Sequence, residues 1–359
     1  MSFLNKKIFS LDPEIFGVDL SDLSVKVMQL ERDGKVERIK SYATADIAAG
    51  DIEDGKIIDK DRVAANIKDA VAKAGPGKIK SNKVICSLPE SKAFLRIISI
   101  PKMEEGEAGE AIKWEMEANI PLPIDQVYFD WQFLDTDNKH KQNVLTVAVA
   151  KDIVDDFVDV LGRAGLEAYG LEVESIASAR SLVKETKNVK KGVGLIVDLG
   201  AQRTSFIMIV DNAPYFTSSI PFSSESINDA ITKGLNLSLA EAEKIKITHG
   251  IESNGDNPVF SVIRSLLENL VQEIERTLDF YGEMDKDNLD VERIMLCGGG
   301  SNMKGLVPYL AKRLNREVEL GDPWINLHMG NELPIINRQD SARYSTVIGL
   351  ALRGLNYED

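Results

Sequence analysis

Apolar and polar positions along this chain follow two rhythms. Short strand-like runs end at glycine or proline, and between them lie stretches whose apolar residues recur every three or four positions. The clearest stretch is Val193-Gly-Leu-Ile-Val-Asp198-Leu-Gly200-Ala-Gln-Arg-Thr204-Ser-Phe-Ile-Met-Ile-Val210. It predicts two strands joined by a tight turn, with a carboxylate on the first strand and a glycine and hydroxyl at the tip. Near the N-terminus, Ile15-Phe-Gly17-Val-Asp19-Leu-Ser21-Asp22-Leu-Ser24-Val-Lys26-Val-Met-Gln-Leu30 repeats the arrangement, Val18-Asp19-Leu20 aligning with Val197-Asp198-Leu199. Two such hairpins half a chain apart predict two similar lobes.

The remaining pattern fills in around them. Asp33-Gly34 turns the chain into a strand over 35–48, and residues 61–74 are helical until Gly75-Pro76-Gly77 stops them. Residues 83–88 form a strand ending at Pro89. A different texture follows: strand 94–100, helix 104–119, the stop Ile120-Pro-Leu-Pro123, strands 127–134 and 144–149 around a polar turn at 135–143, and helix 153–164. This predicts a small α+β insertion. The stretch 171–182 reads as a helix, on which Glu172 and Glu174 either favour the positive N-terminal end or place one carboxylate near a nucleophilic water.

In the second half the pattern gives a strand over 213–220 and helices over 224–234, 238–246 and 260–280, the second opened by the box Ser238-x-x-Glu241. Arg293 to Cys297 is a strand running into Gly298-Gly299-Gly300-Ser301, with a helical pattern over 302–314. Such a turn lets a flat ring or ribose approach the backbone closely. A last helix, 341–355, has a small-residue face of Ala342, Ser345, Gly349 and Ala351, suited to close packing across the two lobes. The expected division is first lobe 12–82 and 166–190, insertion 83–165, second-lobe core 191–223 and 291–340, second-lobe small subdomain 224–290, and terminal helix 341–355.

Composition narrows the chemistry. A formal net charge of −14 disfavours nucleic-acid backbones and anionic lipid as partners. Two cysteines, Cys86 and Cys297, make no disulfide framework and fit a reducing cytoplasm. No apolar run approaches the ~20 residues that span a bilayer, and the start lacks the apolar core of a secretory signal; a disordered lead-in over 1–9 is expected. His140, His249 and His328 are isolated, so a zinc site is not expected. No serine or cysteine nucleophile signature is present.

What remains suits a polyphosphate. Glycine at a hairpin tip lets backbone N–H groups reach an anion, and an aspartate can order the water shell of Mg²⁺. Glu243 and Lys246 lie one turn apart on a helix face, the spacing of a solvated ion pair.

Two Asp-bearing hairpins, a linking helix and a Gly-Gly-Gly-Ser turn in this order resemble the actin-like ATPase superfamily, which includes sugar kinases, chaperone ATPases and FtsA. The resemblance implies an α/β chain with the two-lobed actin-like (ribonuclease H-like) fold, a five-stranded sheet in each lobe, closing on Mg-ATP. By that likeness Asp19 and Asp198 face the metal through water. The turns Leu20 to Ser24 (with Ser21 and Asp22) and Gly200 to Thr204 (with Ala201) clasp the phosphates. Gly298, Gly299, Gly300 and Ser301 lie against adenosine, and Glu243 and Lys246 approach ribose and adenine. Glu174 is the catalytic candidate.

Within the superfamily the chain most resembles the type IV pilus assembly PilM family. Three stretches carry the likeness: Ile112-Lys-Trp-Glu115-Met-Glu117-Ala-Asn-Ile120-Pro121-Leu-Pro123, Gly170-Leu-Glu172-Val-Glu174-Ser-Ile-Ala177 and Ile348-Gly349-Leu-Ala351-Leu-Arg-Gly-Leu355. The resemblance implies an ATP-binding cytoplasmic adaptor, peripheral to the inner membrane. It would hold the N-terminal tail of a PilN-like membrane protein in a groove between first lobe and insertion, link it to the pilus motor ATPase, and have scope for self-association. The alternatives are a small-molecule kinase, for which only Glu172 and Glu174 offer a base, or an FtsA-like division filament protein, whose terminal amphipathic membrane helix has no counterpart in the acidic ending here.

One departure stands out. Ser21 occupies the place of a usual glycine and Asp22 that of a small hydroxyl. A positive φ at Ser21 would be strained. Asp22 either opposes the γ-phosphate, points outward or shares Mg²⁺. Slow or absent ATP hydrolysis is expected.

Overall fold

The computed structural model describes residues 14–103, 105–134, 140–184, 192–252, 257–284, 290–329 and 335–357 of the chain. The lead-in 1–9, Glu104 and the turn residues 135–139 lie outside these. In order, the first lobe begins with β1 (Ile15–Ser21), β2 (Ser24–Asp33), β3 (Val36–Asp46), β4 (Ile52–Glu53), β5 (Lys56–Ile57), α1 (Lys60–Lys73), β6 (Gly75–Pro76) and β7 (Lys83–Leu88). Then come β8 (Ala93–Pro101), α2 (Glu105–Asn119), β9 (Val127–Phe133), β10 (Lys141–Ala150), α3 (Lys151–Arg163), β11 (Glu167–Val173) and α4 (Glu174–Leu182). The second lobe holds β12 (Val193–Leu199), β13 (Thr204–Val210), β14 (Ala213–Ile220), α5 (Ser224–Leu235), α6 (Leu239–Thr248), α7 (Pro258–Met284), β15 (Arg293–Cys297), α8 (Leu306–Leu314) and β16 (Val318–Leu320). The chain closes with α9 (Arg338–Ser341) and α10 (Ser345–Leu355).

The repeat read from the two hairpins extends to whole sheets. The first-lobe sheet runs β11-β7-β1-β2-β3-β6, and the second-lobe strands run β16-β15-β12-β13-β14. In each, the Asp-bearing strand pairs antiparallel with its hairpin partner and parallel with the strand on its other side. Both carboxylates therefore sit at the C-terminal ends of central strands, where open α/β sheets present ligands.

Two helices join the lobes. Helix α4 packs Ala179 and Leu182 on the second sheet, against Ile196, Ile207 and Met295. Helix α10 covers the first sheet, where Val347 and Ala351 meet Met28 and where Gly17 leaves no room for a Cβ (2.9 Å from the Ala351 nitrogen). The two helices touch at Gly349, where a Cβ would stand 1.8 Å from the Ala177 carbonyl oxygen. The small-residue face thus meets both lobes: Gly349 lies on α4, and the Ala342 carbonyl accepts the Gly298 N–H at 2.9 Å at the end of β15.

The insertion is narrower than 83–165. β7 is hydrogen-bonded between β1 and β11 in the first sheet, and α3 buries Ile153, Phe157, Val160 and Leu161 in the first-lobe core. What leaves that core is most of the segment from β8 to β10, with its own small core of Ile98, Ile100, Ile112, Met116 and Val144, while Val147 and Val149 stay packed in the first lobe. Its strands do not form a separate layer. β8 meets β14 at a single pair, Arg96 with Phe216, so β8, β10 and β9 extend the second-lobe sheet to eight strands. Beside that pair the strands diverge around a cavity of about 270 Å³ bordered by Tyr215, Phe216, Phe280 and Glu115. The expectation of five strands in each lobe holds for the second lobe alone; two-residue β6 adds a sixth to the first.

Candidate functional site

A cleft of about 610 Å³ opens between the lobes, and Asp19, Asp198 and Gly298 to Gly300 all line it. Asp19 is buried on β1 directly across the ladder from Lys26, whose ammonium reaches its carboxylate at 2.9 Å. The Ser87 hydroxyl donates to its other oxygen at 3.3 Å. Asp198 stands at the corresponding place on β12. Loss of water and then the negative charge of Asp19 push its carboxyl up to about 6.

The glycine turn is shaped around that aspartate. Gly298 has φ +78°, and a Cβ there would come within 2.3 Å of Asp198 Oδ1 and 2.6 Å of the Leu199 oxygen. Only glycine fits such backbone beside the half-buried carboxylate.

Two further carboxylates complete the floor. Glu174 is the first residue of α4 and accepts the Glu90 N–H at 3.3 Å. Its carboxyl is raised well above the usual range by burial, then by Asp19 and Asp198. Glu90 is likewise raised by burial, and its Oε2 has no hydrogen-bond partner. Oxygen ligands gathered around one cation suit a hard divalent ion. Among the described residues no three His, Cys, Asp or Glu side chains are grouped to hold a metal directly.

The hairpin tips resolve the departure at 21–22. Ser21 is not among the residues with positive φ; its hydroxyl donates to the Ser24 carbonyl at 3.1 Å and lies 3.1 Å from the Ser24 hydroxyl. Asp22 lines the cleft and accepts the Gly55 N–H at 2.9 Å, which ties the tip to the β4–β5 hairpin. At the second tip, the Gly200 N–H closes the turn on the Arg203 carbonyl at 2.9 Å, while Gly200 and Ala201 carbonyls accept N–H groups from the start of α5. On the far wall Glu243 and Lys246 face the cleft; Lys246 donates to Ser224 at 2.7 Å, and burial lowers its pKa.

Three expectations are corrected. The Thr204 hydroxyl is buried and donates to the Phe222 carbonyl at 2.9 Å, so it fixes the strand behind the wall instead of facing the cleft. Ser301 is buried too, donating to the Gly298 carbonyl at 2.7 Å. Glu172 belongs to β11 rather than a helix, and Arg180 and Arg353 hold its carboxylate at 2.5 and 3.4 Å, away from the cleft lining. Lys26, Glu90 and Arg203 are cleft residues that the motifs did not single out. Lys26 was recoverable from hairpin register, which sets it opposite Asp19; Glu90 carries no local signal.

Two lobes of repeated topology, joined by α4 and α10 around this cleft, define an actin-like fold. The solved structure of MreB 5 of Spiroplasma citri bound to AMPPNP superposes with TM-score 0.51 at 14% identity over 94% of this chain and 95% of that one. The chain belongs to the PilM family: the family model described as type IV pilus assembly protein PilM matches residues 17–355. A solved PilM-PilN type IV pilus biogenesis complex superposes with TM-score 0.81 at 26% identity, covering 96% of this chain and 99% of that one. Among curated proteins, the cell division protein FtsA of Neisseria meningitidis serogroup B is 27% identical over 224 residues, 56% of this chain and 51% of FtsA. FtsA of Borreliella burgdorferi is 25% identical over 221 residues, 55% of this chain and 51% of that protein. The chain thus spans about half the length of the curated relatives it matches.

Proposed function

We propose that this chain is an ATP-binding adaptor of type IV pilus assembly that takes the cytoplasmic N-terminal tail of a PilN-like membrane protein and links it to the pilus motor ATPase. The observation that carries the nucleotide part is the convergence of Asp19, Asp198 and the Gly298–Gly300 turn on one interlobe cleft. Asp19 and Asp198 would hold Mg²⁺ through its waters, and Glu174 would lie near the terminal phosphate. Gly200, Ala201 and the first tip would contact phosphates through the backbone, with Glu243 and Lys246 on the nucleoside side. The ion supplies charge to offset the gathered carboxylates and phosphates. Titration calorimetry with Mg-ATP, comparing the natural chain with Asp198→Ala, tests this reading; equal affinity in both would overturn it. Hydrolysis is expected to be slow or absent, since Ser21 and Asp22 stand where a glycine and a small hydroxyl are usual; fast multiple turnover would overturn that.

The tail-binding part rests on an open edge. β9 ends the eight-stranded sheet, and its Tyr128 faces α3, with the hydroxyl 3.3 Å from Asp155 and Lys151 over the ring. Tyr128 on β9 and Val158 on α3 are 49% and 46% exposed, apolar side chains on the insertion and on the first-lobe helix it faces. An extended tail can add to such an edge by main-chain hydrogen bonds, alternate side chains entering the groove. Among the described residues no helix is long and apolar enough to cross a membrane; recruitment to the inner membrane would come through that tail. A pull-down with a synthetic PilN-like tail peptide tests the assignment, and retention equal to a scrambled peptide would refute it.

A further inference from the structure

The two hairpin tips that face the phosphate end are connected by a route the adaptor reading leaves unused. Asp22 of the first tip holds Gly55 of the β4–β5 hairpin. The apex of that hairpin is Asp54, in the left-handed region at φ +49°. Ser91 donates to its carbonyl at 3.3 Å, and Lys92 pairs with its Oδ2 at 2.8 Å. Across the mouth of the cleft, its Oδ1 accepts from Arg203 Nη1 at 3.3 Å. Arg203 belongs to the second tip, lines the same cleft as Asp19 and Asp198, and is braced by the Ser219 hydroxyl at 3.1 and 3.3 Å.

Three features make the Asp54 contact replaceable. It is long for a charge-assisted bond, whereas the Lys92 bond to the same carboxylate is short. Lys92 therefore keeps Asp54 paired when Arg203 leaves. A guanidinium also matches two oxygens of a phosphate, which gives Arg203 an alternative partner. The charges around the phosphate end leave few other candidates. Lys26 is committed to Asp19, while Lys246, Lys304 and Arg343 line the side of α6 and the glycine turn. We propose that Arg203 reads the terminal phosphate of a nucleoside triphosphate, exchanging the Asp54 carboxylate for it. The proposal rests on the reading that a nucleotide occupies the cleft. With no nucleotide, or a diphosphate, Arg203 stays on Asp54 and spans the mouth; a third phosphate draws it inward and frees the β4–β5 hairpin from the second lobe.

Titration calorimetry on the full chain with Mg-AMPPNP and with Mg-ADP tests this, using the natural protein, Arg203→Ala, Arg203→Lys and Asp54→Ala. Arg203→Ala is expected to lower triphosphate affinity about tenfold and to leave diphosphate affinity within about twofold. Arg203→Lys recovers part of the loss, and Asp54→Ala, which removes the competitor, widens the triphosphate preference. Thermal melting of each variant verifies that it is folded. An unchanged triphosphate preference in Arg203→Ala, or equal losses for both nucleotides in both alanine variants, would overturn the proposal and leave the cleft assignment standing. Absence of binding by the natural protein would overturn the cleft assignment and this proposal together.

Discussion

Gly298 and Asp198 are packed so closely that a methyl group on the glycine would stand 2.3 Å from the carboxylate oxygen. The turn therefore has no room for a side chain beside Asp198. Gly298→Ala must either move the turn or displace Asp198, and it also adopts a φ of +78° that side chains resist. A destabilisation of ~1–3 kcal/mol is expected from the backbone alone. Thermal unfolding measures it, and Mg-ATP should no longer raise the melting temperature of this variant.

Asp198 also makes stability pH-dependent. Its folded pKa, about 6, lies above the ordinary carboxylate value of 3.8, so the unfolded chain loses its proton first. This group's stabilising contribution is full below about 3.8 and is lost as pH rises through about 6. Glu174 and Glu90, also raised, act in the same direction. The nucleotide-free protein is expected to melt at higher temperature at pH 5.5 than at pH 7.5, and Asp198→Asn to reduce the difference. Mg-ATP stabilisation should run the other way, weakening as pH falls below about 6.

The contact of α10 with α4 at Gly349 gives a purely structural prediction. A Cβ there would lie 1.8 Å from the Ala177 carbonyl oxygen, backbone that cannot step aside without parting the helices. Gly349→Ala is expected to cost ~1–3 kcal/mol, the usual penalty of overpacking. Chemical denaturation reads this as a lower midpoint, and a midpoint equal to that of the natural chain would contradict the packing.

On the insertion side, Tyr128→Ala combined with Val158→Asp removes the apolar pair beside β9 while leaving the buried insertion core untouched. Binding of a PilN-like tail peptide should fall at least tenfold, about 1.4 kcal/mol. Mg-ATP affinity measured on the same sample should be unchanged.

The parts of this site legible from sequence are those written in local pattern. Asp19 and Asp198 were found because each lies in an apolar run that turns sharply, and because the run occurs twice. Gly298 to Gly300 were found because a strand cannot run on through three glycines. Thr204 and Ser301 read as cleft residues in the sequence, but a hydroxyl beside a turn has backbone carbonyls within reach, and those of Phe222 and Gly298 accept them. Glu172 reads as helical because the small polar residues that follow it are helical, whereas its place on β11 comes from pairing with Ser87 of β7. Asp54 and Arg203 meet only when the lobes close, 149 positions apart in the chain, so no window of sequence holds them both.

The Arg96–Phe216 pair joins the insertion to the second-lobe sheet. The strands to either side of it are zipped along their lengths, β8 to β10 and β13 to β14, while β8 and β14 share this one ladder pair, with a cavity beside it and Glu90 bonded to Thr217 just ahead of β8. Val147 and Val149 anchor the insertion to first-lobe packing, so it cannot simply travel with its neighbour across the rung. The edge strand β9 is tied, through β10 and those two valines, to the half of the molecule that carries Asp19.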